Sequence, residues 1–309
     1  MSEVAPVRYR SADEDSDRWL DFPFRQGDIV ISTRSKSGTT WMQMICALLV
    51  FQSGDLPEPL GRLSPWIDWT GTPSQDLLAR LAGQKHRRFM KTHTPLDGIP
   101  LDDRATYIVV GRHPLDMAVS LYHQGENIDR RRLRELTGQP EPLVPPPPRP
   151  PLHEWLLSWI DWDGDRHQEM DSLSGVVWHA SDAWGRRHQP NVILVHYEDL
   201  STDLEGEMHR LAALLGITVS EGTWRKIVPE ASFESMRARV ARTAPDPADI
   251  LKDRSQFFRR GTSGAGRELL TSDEHARYQT RIESMAPPDV VTWLQQGSRS
   301  PGTFVGPWS

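Results

Sequence analysis

Cysteine is nearly absent from this 309-residue chain, and Cys46 is the only one. A single thiol forms no internal disulfide and leaves no cysteine cluster for zinc. Long apolar runs are missing too: the longest, Met44–Phe51, spans about eight residues, where a bilayer span needs roughly 20. The opening MSEVAPVRYRSADEDSD lacks the apolar stretch of a secretory signal. These absences predict a cytoplasmic protein of a reducing compartment with no transmembrane segment. There is no basic excess either. The net charge of −6 and pI of about 6.0 argue against a nucleic-acid binder, though a few local arginines can still hold a small anion.

What the chain does have is tryptophan, 12 in all, which suits a fold with an apolar pocket. It also has short β-branched runs alternating with helical patterns. Asp28–Thr33 (DIVIST) reads as a buried strand, and Thr39–Phe51, apolar nearly all round, as a helix buried beside a sheet. Residues 87–91, 106–111 and 191–196 read as further strands. Pro114 suits the first turn of a helix that runs to His123. Leu204, Met208, Leu211 and Leu215 recur at helical spacing before Gly216. This alternation predicts an α/β fold with a mostly parallel sheet and helices on both faces. The expected organisation is one domain over 1–309, with a loosely packed N-terminus (1–20), a Pro-rich insertion (138–152) and a frayed tail (297–309). The insertion holds PEPLVPPPPRPP, an extended segment and a possible ligand for an aromatic groove.

The loop Thr33-Arg34-Ser35-Lys36-Ser37-Gly38-Thr39-Thr40-Trp41 joins the first strand to the first helix. A loop in that position aims backbone N–H groups at one spot, and the helix dipole adds partial positive charge there, so the spot suits phosphate. Gly38 permits close approach. Ser37, Thr39 and Thr40 offer hydroxyls and Lys36 offers charge, with the N–H groups of residues 37 to 41 as the cradle. An ordinary strand–helix turn with an exposed lysine is the plainer reading of the loop alone. It is not a Walker A loop, because Lys36 precedes Gly38 and no upstream glycine is present.

The loop resembles the 5′-phosphosulfate loop of the cytosolic-type sulfotransferases, usually Tyr-Pro-Lys-Ser-Gly-Thr-Thr-Trp, with Arg34-Ser35 in place of Tyr-Pro. Four more segments, the Tyr-Glu-Asp one accompanied by a further Thr-Ser-Phe-like stretch, match in family order and cover most of the chain. Lys91-Thr92-His93-Thr94-Pro95 resembles the family's Lys-Thr-His-x-Pro, whose histidine is the general base. Gly111–Ser120 resembles the 3′-phosphate segment, which implies that Arg112 and Ser120 grip that phosphate. Tyr197-Glu198-Asp199 resembles a strand-end segment whose tyrosine touches adenine. Ala231-Ser232-Phe233 resembles a Thr-Ser-Phe whose Phe stacks on adenine, with Ala231 in place of the base-contacting threonine. Phe258–Gly264 resembles the Arg-Lys-Gly-x-x-Gly lid over the 3′-phosphate and implies roles there for Arg259, Arg260 and Gly261. The family continues Asp-Trp where this chain has Ala265-Gly266, so a looser lid is expected. Thr271-x-x-Glu274 reads as a capping box. The family's dimer motif is not kept, and that dimer is not expected.

The resemblance implies a P-loop-like fold and the co-substrate 3′-phosphoadenosine 5′-phosphosulfate (PAPS), with 3′-phosphoadenosine 5′-phosphate (PAP) as product and no metal. His93 would take the proton of a hydroxyl acceptor. Lys36 and Lys91 would stabilise charge at the bridging and equatorial oxygens, and Trp41 belongs to the donor-binding loop. Residues 64–68 and 86–98 are most similar to bacterial glycolipid sulfotransferases, so a glycolipid or another apolar alcohol is the expected acceptor. Trp66, Trp69 and the Trp155–Trp162 group are candidate walls for it. A P-loop small-molecule kinase, or a silent nucleotide-binding scaffold using the Pro-rich segment, are the alternatives.

Overall fold

The computed structural model describes residues 5–244 and 248–298. Its centre is four parallel strands: β1 (Asp28–Thr33), β2 (Phe89–Thr92), β3 (Ala105–Gly111) and β4 (Val192–His196), in the order β2-β1-β3-β4. Every residue of β1 and β2 is buried, as both faces of a parallel sheet are when helices cover them. Strand alternation sorts the side chains. Ile29, Ile31, Ile108 and Val110 face one core, while Val30, Met90, Tyr107 and Val109 face another.

The helices packed around the sheet and on one another include α1 (Thr39–Phe51), α2 (Pro114–Asn127), α3 (Leu152–Asp161), α4 (Leu173–Gly185), α5 (Leu204–Leu214), α6 (Ser272–Glu283) and α7 (Pro288–Gln296). α1 and α5 pack on the first face through Met44, Leu48, Met208 and Leu211. α4 lies on the other face, against β3 and β4. Thr271 and Glu274 form the capping box that opens α6. The α/β, P-loop-like fold expected from the sequence is the one observed, and β1 and α1 have the expected bounds. β2 starts two residues later than the pattern suggests. Arg88 is buried in an ion pair with Asp28, and Arg87 donates to the carbonyls of Gly27 and Leu215.

Three expectations need correction. Residues 5–20 are not loose: Tyr9 and Trp19 are fully buried, and the Tyr9 hydroxyl donates to Asp97; residues 1–4 lie outside the described residues. Trp155 and Trp159 do not wall a cleft. They pack with α2 and α4 residues in a second core, and the Trp159 indole donates to the Asp171 carbonyl. Gly297 and Ser298 are tied back by their N–H groups to Trp293 and Asp199 rather than frayed; residues 299–309 lie outside the described residues. The Pro-rich segment is exposed up to Pro148 and anchored at its end, where Arg149 stacks 4.0 Å from the Tyr122 ring.

Candidate active site

Each strand of the sheet delivers its C-terminal end to one edge. β1 is followed by the Arg34–Gly38 loop, β2 by His93, β3 by Arg112 and β4 by Tyr197. The register pairs Ser32 with Thr92, Thr33 with Val110 and Gly111 with His196. Because all four strands are parallel and nearly in step, four segments far apart in sequence meet beside one cleft of about 620 Å³. Ligand sites of open α/β sheets gather at this edge.

The loop has two left-handed residues, Lys36 (φ 62°) and Gly38 (φ 102°). At Gly38 the left-handed backbone calls for glycine, and a β-carbon would stand a tight 3.1 Å from the Tyr197 ring. At Lys36 the conformation costs about 1–2 kcal/mol. It is held by Arg112, whose Nη1 donates to the Lys36 carbonyl at 2.7 Å. The N–H groups of Gly38, Thr39, Thr40 and Trp41 form the first turn of α1 and have no partner within the helix. The Ser37 N–H is used elsewhere, donating to the Arg34 carbonyl at 3.2 Å. The Ser37 side chain lies beneath the loop with Val110 and Trp293, not in the cleft. Of residues 37–41, Gly38, Thr39, Thr40 and Trp41 line the cleft, and Ser37 lines a small neighbouring cavity.

Five cations that line the cleft have no ion-pair partner among the described residues: Lys36, Lys91, Arg112, Arg259 and Arg260. Lys36 meets only the Gln124 amide oxygen at 3.4 Å and the Phe257 ring at 4.3 Å. Burial, then Arg112 and Arg259, lower its pKa to about 7. Arg112 stacks 4.3 Å over the Tyr197 ring, and its buried Nε has no hydrogen-bond partner. Arg112 is buried and Lys36 and Arg259 are half-buried, and cations so placed repel one another until an anion joins them. Ser120 and Arg260 line the same cleft.

Tyr197 and Phe233 are further wall residues of this cleft. Trp41 meets Tyr197 edge-on at 5.1 Å, and its indole donates to the Ala231 carbonyl. Gly261 is left-handed (φ 69°), and a β-carbon there would stand 2.6 Å from the Phe233 ring. The lid is not loose. The N–H groups of Gly264 and Gly266 donate to the Asp116 carboxylate at 2.8 and 2.9 Å, and a β-carbon on Gly266 would strike the Leu115 backbone.

At the other end stands His93, 5% exposed. Its Nδ1 lies 2.6 Å from the Thr33 carbonyl oxygen. A carbonyl only accepts, so Nδ1 carries the proton and the neutral ring keeps its lone pair on Nε2. Burial, then Lys91 and Arg34, hold the imidazole well below its ordinary range, so it is unprotonated at neutral pH. Trp66 meets it edge-on at 4.8 Å and stacks on Trp69 at 5.2 Å. Lys91 sits 4.2 Å over the Trp66 ring, its pKa lowered to about 8 by burial against the opposing pull of Glu14 and Asp68.

Sequence reasoning missed the supports of this end. Asp68, fully buried, accepts from the His93 N–H (2.8 Å), the Thr92 hydroxyl (2.6 Å) and the indoles of Trp66 (3.2 Å) and Trp19 (2.5 Å). Arg34 is buried too. It donates to the His93 carbonyl and pairs with Asp171 at 2.7 Å. Its position in the loop motif was visible, but its partners come from distant parts of the chain. Among the described residues no cluster of three or more His, Cys, Asp or Glu is arranged to hold a metal, and no helix is long and apolar enough to cross a membrane.

The sulfotransferase domain family matches residues 26–289. The glycolipid sulfotransferase of Mycobacterium bovis (strain BCG) is 42% identical over 95% of both chains, and that of Mycobacterium tuberculosis (strain H37Ra) is likewise 42% identical over 95% of both. Mouse sulfotransferase SULT7A1, solved complexed with PAP, shares the fold with a TM-score of 0.67 over 92% of each chain at 21% identity.

Proposed function

The chain belongs to the sulfotransferase family, and on that premise we propose that its cleft moves the sulfuryl group of PAPS to a hydroxyl of a glycolipid or similar apolar alcohol. The observation that carries this reading is the cation set. Lys36, Arg112 and Arg259 face one cleft without carboxylate partners, beside an unprotonated histidine. A nucleotide with phosphate at both ends supplies the missing anions. The orphaned Arg112 Nε and the free N–H groups of residues 38–41 fit such a molecule. PAPS supplies an activated sulfuryl group and a phosphate leaving group.

The protein's own residues do the rest. Arg112, Ser120 and Arg259, with Arg260 and Gly261, take the 3′-phosphate, a group that ATP lacks. Tyr197 and Phe233 flank the base. His93 accepts the acceptor's proton on Nε2 as its oxygen attacks sulfur, and the Thr33 carbonyl holds the ring in that tautomer. Lys36 faces the charge that develops on the leaving oxygen, so it acts mainly in the transition state. Lys91 faces the same space from the acceptor side. No metal has a role in this scheme, and a cytoplasmic location goes with it.

Thermal unfolding tests the reading. PAP at about 100 times its Kd should stabilise the protein by roughly 2.7 kcal/mol. ATP with magnesium at the same concentration should do far less. The reverse order would point to a kinase instead.

A further inference from the structure

We propose that Glu14 reads a second hydroxyl of the acceptor, so that this enzyme selects sugar-like polyols over simple alcohols. The inference rests on the acceptor end of the cleft assigned above and adds a residue and a substrate class to it.

Glu14 belongs to the N-terminal segment, ahead of the residues matched by the family domain. Its backbone bridges to Trp69, which places it against the tryptophan pair beside His93. It lines the cleft, yet is only 6% exposed. Its Oε2 is fully shielded and has no hydrogen-bond partner. A buried polar atom left unpaired costs free energy, and a native protein keeps few of them. A partner that arrives with substrate accounts for the cost, since it is repaid only when the right acceptor binds.

The surroundings say which partner fits. Lys91 and Arg34 are both close enough to act on Glu14, and burial pushes its carboxyl well above the usual carboxylate range. Asp13, Asp68 and Asp171 act on it as well, so the charge around it is mixed. A hydroxyl suits the position because it can donate to a carboxylate or accept from a carboxylic acid. Trp66 and Trp69 line the cleft, stacked on one another at an interplanar angle of 27° with Lys91 over the Trp66 ring, so a ring-shaped acceptor meets apolar surface here while its hydroxyls reach the charged groups. Asp13, also at the cleft wall, already has Ser11 as a partner. Glu14 is therefore the group with capacity to spare.

Hexyl β-D-glucoside and 1-hexanol carry the same tail and differ in the extra hydroxyls. Both should be assayed with PAPS as donor for the parent enzyme, E14Q and E14L. The parent should prefer the glucoside in kcat/KM. E14L should lower the glucoside-to-hexanol ratio by about 10- to 100-fold, the scale of one lost polar contact, while E14Q, which can still donate and accept, should recover most of it. PAP affinity should be the same in all three, and the melting temperature of E14L should be equal or higher, since an unpaired buried carboxyl is gone. An unchanged ratio overturns the inference, as does a parent that prefers 1-hexanol. A fall in melting temperature with equal loss on both acceptors assigns Glu14 to the fold. If the parent turns over none of these acceptors yet binds PAP, the acceptor class is wrong. If it does not bind PAP, the reading of the whole site is wrong.

Discussion

The His93 Nδ1 donates to the main-chain carbonyl oxygen of Thr33, 2.6 Å away, across the gap between β2 and β1. This one bond ties the proposed base to the strand that launches the phosphate loop. It also decides which ring nitrogen is free, because the tautomer with a proton on Nδ1 keeps its lone pair on Nε2. The ring does not hang from this bond alone, since Asp68 holds the His93 N–H and Arg34 its carbonyl.

His93→Ala should lower kcat by about 10²-fold or more, the ordinary scale of a lost general base, with PAP affinity within a few-fold of the parent. Steady-state kinetics beside calorimetric PAP titration checks this. Near-normal turnover of an un-ionised alcohol would remove His93 from the role of base.

Lys36→Met keeps bulk and removes charge. It should cost about 10²- to 10³-fold in single-turnover rate and weaken PAP binding far less, because the N–H groups of residues 38–41 still hold the phosphate. Equal losses in rate and binding would make Lys36 a ground-state anchor, and parent-like behaviour would make it an idle turn lysine.

Arg259→Ala should weaken PAP by about 10- to 100-fold, in line with a charged hydrogen bond, and leave the affinity for AMP nearly unchanged. Arg112→Ala should do the same to PAP but also disturb the loop, since Arg112 holds the left-handed Lys36 through its carbonyl. A uniform loss for PAP and AMP with Arg259→Ala would place that arginine in the fold rather than at the 3′-phosphate.

Lys36 titrates in the free protein near pH 7 and Lys91 near 8. Both are cations below those values and neutral above them, and a bound anion favours the cation. PAP binding should therefore take up a fraction of a proton around pH 7.5–8, and PAP affinity should fall by no more than a few-fold as pH rises through this range, the same small loss expected of Lys36→Met. Calorimetry in buffers of different ionisation heat measures the uptake. Zero uptake at pH 8 would contradict the buried, unpaired state of these lysines.

The legible part of this molecule is the part that repeats a local rule. β1, the loop and α1 form one continuous segment whose strand pattern, glycine and buried helix are all local, so their bounds were readable. His93, Arg112 and Tyr197 were readable because each directly follows a strand. What stayed hidden depends on tertiary meetings. Asp68 looked like one more acid in a loop, yet four donors from β2, Trp66 and Trp19 converge on it. Residues 5–20 are polar in composition, yet Tyr9 and Trp19 fill the core and Glu14 reaches the cleft. Trp155 and Trp66 are alike in sequence; only the packing of α3 sends the first into a core and leaves the second beside His93.

Transfer of labelled sulfur is the most direct measurement of what this cleft does. The protein should be incubated with ³⁵S-labelled PAPS and hexyl β-D-glucoside, and in parallel with γ-³²P-labelled ATP, magnesium and the same acceptor. Labelled glucoside sulfate and PAP should form in the first reaction without added metal, and no labelled phosphate ester in the second. Phosphate transfer from ATP together with no sulfur transfer from PAPS would contradict it.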